Sequence, residues 1–190
     1  MRRWEDRRAY FLDEARRDVE CGQDVRPCFV ALAGEDRLFL AFLRPFERGE
    51  LFDALIELLA LAAPLGADRL AISLPGRAWS LQDPVPPVLP GVGDLRQRIL
   101  VIEEADGTRG HPRGSTLAIP FDLADGTLRW RDPLDGGDWV GPLGGALAKT
   151  IAARDRIRGG DRAIRRQAQR CVALGHFLAL GPTVADRLAL

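Results

Sequence analysis

The chain has no asparagine, one tyrosine (Tyr10), and a single lysine (Lys149) among 27 Lys plus Arg. Lysine, asparagine and tyrosine are spelled by AT-rich codons. Their scarcity points to a GC-rich genome, most simply a bacterial one, and explains the arginines at least as well as function does. The lone lysine also excludes chemistry. A phosphate-binding P-loop needs Gly-Lys-Ser/Thr, and the nearest match, Ala148-Lys149-Thr150, has alanine in the glycine's place. Schiff-base catalysis would rest on Lys149 alone, which falls on an expected helix beside Gly144 and Gly145.

Three cysteines, Cys21, Cys28 and Cys171, form neither a C-x-x-C pair nor a disulfide framework. That usage fits a reducing compartment, so a cytoplasmic location is expected, with no cofactor and no resident metal. Net charge is +0, so no overall field draws the protein to nucleic acid or membrane. The first eight residues, Met1-Arg-Arg-Trp-Glu-Asp-Arg-Arg8, lack the apolar core of a signal peptide. The most apolar long segment, Leu51–Ala63, carries Asp53 and Glu57 and stops at Pro64, so no membrane span is expected.

What is present is a sheet core. The runs Cys28–Ala33 and Leu38–Leu43 read as strands joined at Gly34-Glu-Asp36. Both are apolar on both faces, which calls for helices on both sides of the sheet. A buried helix is expected over about 48–63, with Glu50, Asp53 and Glu57 as its narrow polar stripe, and then a strand over Leu70–Leu74. If the flanking strands are parallel in one sheet, this order favours a right-handed crossover. Pro75–Asp94 holds five of the 13 prolines and reads as a long loop.

Residues 2–20 read as an amphipathic helix with Trp4, Phe11, Leu12, Ala15 and Val19 on one stripe. Further strands are expected at Ile99–Ile102 and Thr116–Phe121, with Leu128–Trp130 as a short edge strand. Beyond the Gly-rich connector Asp132–Gly145, a helix runs from Pro142 to about Arg156. Gly159-Gly160 breaks it, and a last long helix is expected over 162–179. The expected fold is α/β, of the α+β type: a mixed five- to six-stranded sheet with helices on both faces, in the order α-β-β-α-β-β-β followed by two C-terminal helices. Residues 1–135 form the core domain and 136–190 a helical extension packed on it. The element order resembles roadblock, longin and profilin-like domains in topology alone, with no motif behind the resemblance.

Three residue sets are candidate sites. Arg77, Trp79, Gln82 and Asp83 open the proline-rich loop, which starts at the carboxyl end of a strand, where α/β sheets commonly bind ligands. There Trp79 would be an apolar wall and Arg77 a clamp for carboxylate or phosphate, or the two would anchor a protein partner. The plainer alternative is that Trp79 fastens the loop to the core. The second set is a basic patch. Seven arginines lie between Arg154 and Arg170. Arg162, Arg165 and Arg166 share a helix face with Gln169, and Arg170 extends the patch. Such a face can hold phosphates in a salt-dependent way. No aromatic residue is interleaved to stack bases, and the alternative is a solvated face or one paired with acids of another element.

The third set is Glu103, Glu104 and Asp122 with His111, carboxylates that would hold a divalent metal or split acid and base roles. Adjacent residues on a strand point to opposite faces, so Glu103 and Glu104 cannot share one site. Cys171 and His176, five residues apart on the expected helix, sit about 140° apart. No nucleophile elbow, zinc helix or dinucleotide fingerprint is present. The surviving expectation is a non-catalytic domain for protein interaction or ligand binding, working through a protein partner or self-association as a homo-oligomer. The alternatives are Arg-dependent binding of nucleic acid or a phosphate ligand through 154–170, and a metal-dependent hydrolase using Glu103 or Glu104 and Asp122.

Overall fold

The computed structural model describes residues 4–47, 49–78, 96–108, 111–134, 140–157 and 159–188. The elements are α1 (Trp4–Glu20), β1 (Cys28–Ala33), β2 (Asp36–Phe42), α2 (Leu51–Ala62), β3 (Arg69–Arg77), β4 (Arg98–Asp106), β5 (Arg113–Ala124) and β6 (Thr127–Trp130). They are followed by α3 (Pro142–Ala153), a 3₁₀ turn (Arg154–Arg156), α4 (Asp161–Ala173), β7 (Phe177–Leu180) and α5 (Pro182–Leu188).

Seven strands form one sheet in the order β6-β5-β4-β3-β1-β2-β7. Every neighbouring pair is antiparallel, which corrects the expected mixed sheet of five or six strands. The strand–helix–strand crossover is present, but it brings no parallel pairing. β2 and β3 both pair antiparallel with β1, one on each side, so they run parallel to each other without touching. The α2 connection therefore steps over β1 and adds no parallel ladder.

Alternation along each strand divides the core in two. On one face α1 buries Phe11, Ala15 and Val19 against Val30, Leu40, Ala71, Leu100, Ile102 and Ile119. On the other, α2, α3, α4 and α5 pack Leu55, Leu58, Leu147, Ile164, Ala168 and Val184 against Phe29, Phe39, Leu70 and Ile72. α2 works as the central slab because Leu55, Leu58 and Leu61 are fully buried. Truncating one such leucine to alanine costs about 2–5 kcal/mol.

The C-terminal part differs most from expectation. The helix expected from Pro142 to about Arg156 is present as α3 and the 3₁₀ turn, but the one expected over 162–179 stops at Ala173 and the chain turns to give β7 before the short α5. The stop is a Schellman motif. The Gly175 N–H donates to the Val172 carbonyl and the His176 N–H to the Cys171 carbonyl, both at 3.0 Å. Gly175 at φ 101 is the left-handed residue that the motif needs. β7 then pairs with β2 from Phe42↔Phe177 to Phe39↔Leu180.

Candidate docking surface

β7 lies at one end of the sheet, and its ladder fixes which backbone groups are used. The Gly181 N–H donates to the Leu38 carbonyl at 2.8 Å, so Leu38 and Gly181 are a hydrogen-bonded pair. In an antiparallel ladder such pairs alternate, so Ala179 bonds inward to Leu40 while the N–H and C=O of Leu178 and Leu180 point away from the sheet. Gly181 is a requirement of this join, because a Cβ there would lie 2.8 Å from the Arg37 carbonyl carbon and closer still to its oxygen.

The start of β7 is held as firmly. The Arg44 backbone N–H donates to His176 Nδ1 at 3.1 Å, which places the imidazole proton on Nε2, and Nε2 sits 2.7 Å from Glu57 Oε2. Glu57 also takes the Arg44 guanidinium, and its backbone carbonyl accepts the Gln167 side-chain N–H at 2.9 Å. The ionised carboxylate gains from the Arg44 and His176 hydrogen bonds, and Glu57 titrates below its ordinary range although burial opposes this. A residue on the expected polar stripe of α2 is thus the latch between α2, α4 and β7.

Beside this edge lie two grooves. One of about 390 Å³ is lined by Ala168, Gln169, Val172 and Ala173 of α4 and by Leu178 and Leu180 of β7. The other, about 620 Å³, reaches from Phe177 across Phe42 and Phe46 to Leu51 and Leu74. Phe177 is 59% exposed and its ring packs at a tilt against Phe42, centroids 5.9 Å apart. Val172 is 56% exposed and Leu174 40%, so three large apolar side chains reach solvent within six residues of sequence. The opposite edge of the sheet is built differently. β6 carries the exposed Arg129 and is followed by the Arg131–Asp122 ion pair at 2.7 Å, the charged protection usual on sheet edges. The β7 sequence Phe-Leu-Ala-Leu carries no charge.

The candidate residues fall in separate places. Arg77 ends β3 opposite Arg98 and donates to the Arg96 carbonyl at 2.9 Å, lining a cavity of about 430 Å³ with Asp24, Arg98 and Phe121. Trp79, Gln82 and Asp83 lie outside the described residues. Arg162, Arg165, Arg166 and Arg170 are all exposed along α4, and none makes an ion pair with a described residue.

The carboxylate set is dispersed. Glu103 and Glu104 point to opposite faces of β4. Glu103 accepts the Gly144 N–H at the start of α3 as a helix cap supplied from the sheet. Gly141 makes room for it, since a Cβ there would lie 2.7 Å from Glu103 Cδ and Oε2. A Cβ on Gly144 would also lie 3.1 Å from Glu103 Oε2, so the cap accounts for Gly141 and Gly144 of the run that opens the helix. Glu104 is buried under α1 against Arg7, and burial outweighs the guanidinium's pull, raising its carboxyl to about 7. Asp122 lies six residues along β5 from Thr116, the partner of Glu103, a separation of about 20 Å. His111 is exposed beside the start of β5. The metal-hydrolase geometry is therefore not assembled. Among the described residues no group of three or more His, Cys, Asp or Glu is placed to hold a metal. Cys171 is buried against the Glu57 carbonyl at 3.5 Å, and burial pushes its thiol up to about 11, which suits core packing and not nucleophilic attack.

No helix among the described residues is long and apolar enough to cross a membrane. Compared with known proteins, the chain matches no family, no curated protein and no solved structure.

Proposed function

We propose that this chain is a non-catalytic protein-interaction domain of a reducing, cytoplasmic compartment that docks an extended segment of a partner as an eighth strand on β7. The observation that carries this reading is the uncharged edge of β7, where Leu178 and Leu180 turn their backbone donors and acceptors outward beside an apolar groove. Added strands are held by such main-chain bonds, while alternate side chains enter neighbouring pockets. Here the pockets are the α4 groove on one face and the Phe177 side on the other. Three free cysteines support the compartment.

The test is selection from a displayed library of random twelve-residue peptides. Leu178→Pro deletes one outward N–H and leaves the β2 ladder intact, and edge strands tolerate proline at such positions. Val172→Glu places a charge in the groove at a side chain that is already exposed. Peptides selected on the wild type should lose most of their affinity for both variants, with circular dichroism confirming that both fold. Selected peptides that bind all three proteins equally would overturn the proposal. So would edge-to-edge dimers in light scattering with no peptide captured.

A further inference from the structure

Resting on that reading, we infer that the docked segment is acidic at one end, and that Arg162, Arg165 and Arg166 of α4 are the residues that select it. The helix geometry joins these arginines to the groove. Residues seven apart on a helix lie about 20° apart around the axis and about 10 Å apart along it. Arg162 therefore shares a line with Gln169, Arg165 with Val172, and Arg166 with Ala173, and those three later residues line the groove. One face of α4 is apolar in its last turn and tri-cationic in its first two. Arg170 lies about 40° from Arg166 at the margin of this face and does not line the groove, so it stands outside the selecting set.

These charges remain available. The only acid in the first turn of α4, Asp161, is engaged by Arg187 at 2.6 Å, and none of the three arginines has an ion-pair partner among the described residues. Four like charges between Arg162 and Arg170 repel one another on so short a helix, and a carboxylate run would relieve this. The chain reverses through the Schellman turn, so the arginine end of α4 lies on the Leu180 side of β7. A segment paired along β7 brings apolar residues over Val172, Leu178 and Leu180, and its continuation past Leu180 meets the guanidinium groups. Arginine suits that role because its planar fork takes a carboxylate through two parallel hydrogen bonds. A second copy of this chain fits less well, since antiparallel β7-to-β7 pairing would carry His176 and Gly175, and no carboxylate, past Leu180 toward the arginines.

The experiment repeats the peptide selection on the triple variant Arg162→Glu, Arg165→Glu, Arg166→Glu. All three side chains are exposed, so the fold is retained. Wild-type protein should enrich peptides with an apolar alternating half and an Asp/Glu-rich half. By fluorescence anisotropy the best of these should bind the triple variant about ten- to a hundredfold more weakly, and should weaken steeply as salt is raised. If the selected peptides are lost on Leu178→Pro but carry no acidic bias and ignore the triple variant, the docking edge stands and the charge selection is overturned. If no peptide depends on Leu178, the docking reading itself falls. If a single-stranded twenty-nucleotide DNA binds instead, and the triple variant abolishes that, the arginines belong to a nucleic-acid site and the inference is overturned.

Discussion

Gly141→Ala changes one hydrogen for a methyl at an ordinary backbone angle (φ −65), so any cost comes from space and not from conformation. The new Cβ would sit 2.7 Å from Cδ and Oε2 of Glu103, a carboxylate that is 4% exposed and receives the Gly144 N–H. Backbone relief is limited on both sides. The Gly141 N–H is held by Thr116 Oγ1 at 2.9 Å, and Glu103 belongs to β4, which is paired on both edges. The side chain must swing, which strips the start of α3 of its cap. A hydrogen bond to a buried charged group is worth about 1.5–3 kcal/mol, and a displaced carboxylate adds a desolvation penalty, so the expected loss is about 2–4 kcal/mol. In a chain of this length that lowers Tm by roughly 5–15 °C.

Gly145→Ala is the matched control. It lies one residue beyond Gly144 on the same helix, meets nothing within 4 Å, and should stabilise by up to about 1 kcal/mol through helix propensity. Urea unfolding of both variants, repeated in a Glu103→Ala background, completes the comparison. With the carboxylate gone, Gly141→Ala should cost no more than about 1 kcal/mol, a coupling expected only for groups in direct contact. An equal cost in both backgrounds would refute the assignment of Glu103 as the α3 cap.

Other outcomes follow from the same packing. Glu104 holds its proton to about 7 in the folded chain against an ordinary 4.5, so the folded state binds that proton more tightly than the unfolded chain does. Stability from this group is full below about pH 4.5 and is lost as pH rises through 7, by about 3 kcal/mol. Urea titrations of wild type and Glu104→Gln across that window should show this pH-dependent difference and no further change above pH 8. Arg7→Met alone should destabilise by about 3–5 kcal/mol by leaving a buried carboxylate without its cation, whereas Arg7→Met with Glu104→Leu should restore most of that. Gly181→Ala should detach β7 from β2, visible as fast amide exchange at Ala179 and loss of the selected peptides together.

The sheet core was legible because its strands are apolar runs bounded by Gly, Pro and Asp, and that local pattern survives any tertiary arrangement. β7 was not, because Cys171, Val172 and Leu178 also fit a helical stripe, and four residues are too few to show a strand's alternation. The overlooked signal was Gly175, a left-handed stop within the supposed helix, followed by an apolar run closed by Gly181-Pro182. The arginine face was legible, since i, i+3 and i+4 spacing on a helix settles it. What those residues face was hidden, because the groove exists only once β7 is a strand. The role of Glu103 was hidden for a different reason. Its partner Gly144 is 41 residues away, and Arg7 is 97 from Glu104, so no window along the chain brings these pairs together.

The β7 edge is exposed on its outer side and rigidly placed on its inner side, and these two properties bear on each other. A four-residue strand at a sheet end has few ladder bonds and would be expected to fray. Here each end is fastened independently: Gly175 and His176 close the α4 turn, the Glu57–His176–Arg44 set ties the start of β7 to α2 and β2, and Gly181 presses its end against Arg37 and Leu38. An edge ordered before it meets its partner leaves only the incoming segment to be ordered on binding, which reduces the entropic cost of association. The fastening set should therefore affect docking at a distance. His176→Gln keeps a hydrogen-bonding side chain but cannot reproduce both ring contacts. It should weaken the selected peptides severalfold mainly through a slower on-rate, while the circular dichroism spectrum stays unchanged. An unchanged on-rate, with amide exchange at Ala179 markedly faster than in the wild type, would show that a frayed edge docks as well as an ordered one, and would remove preorganisation from the account.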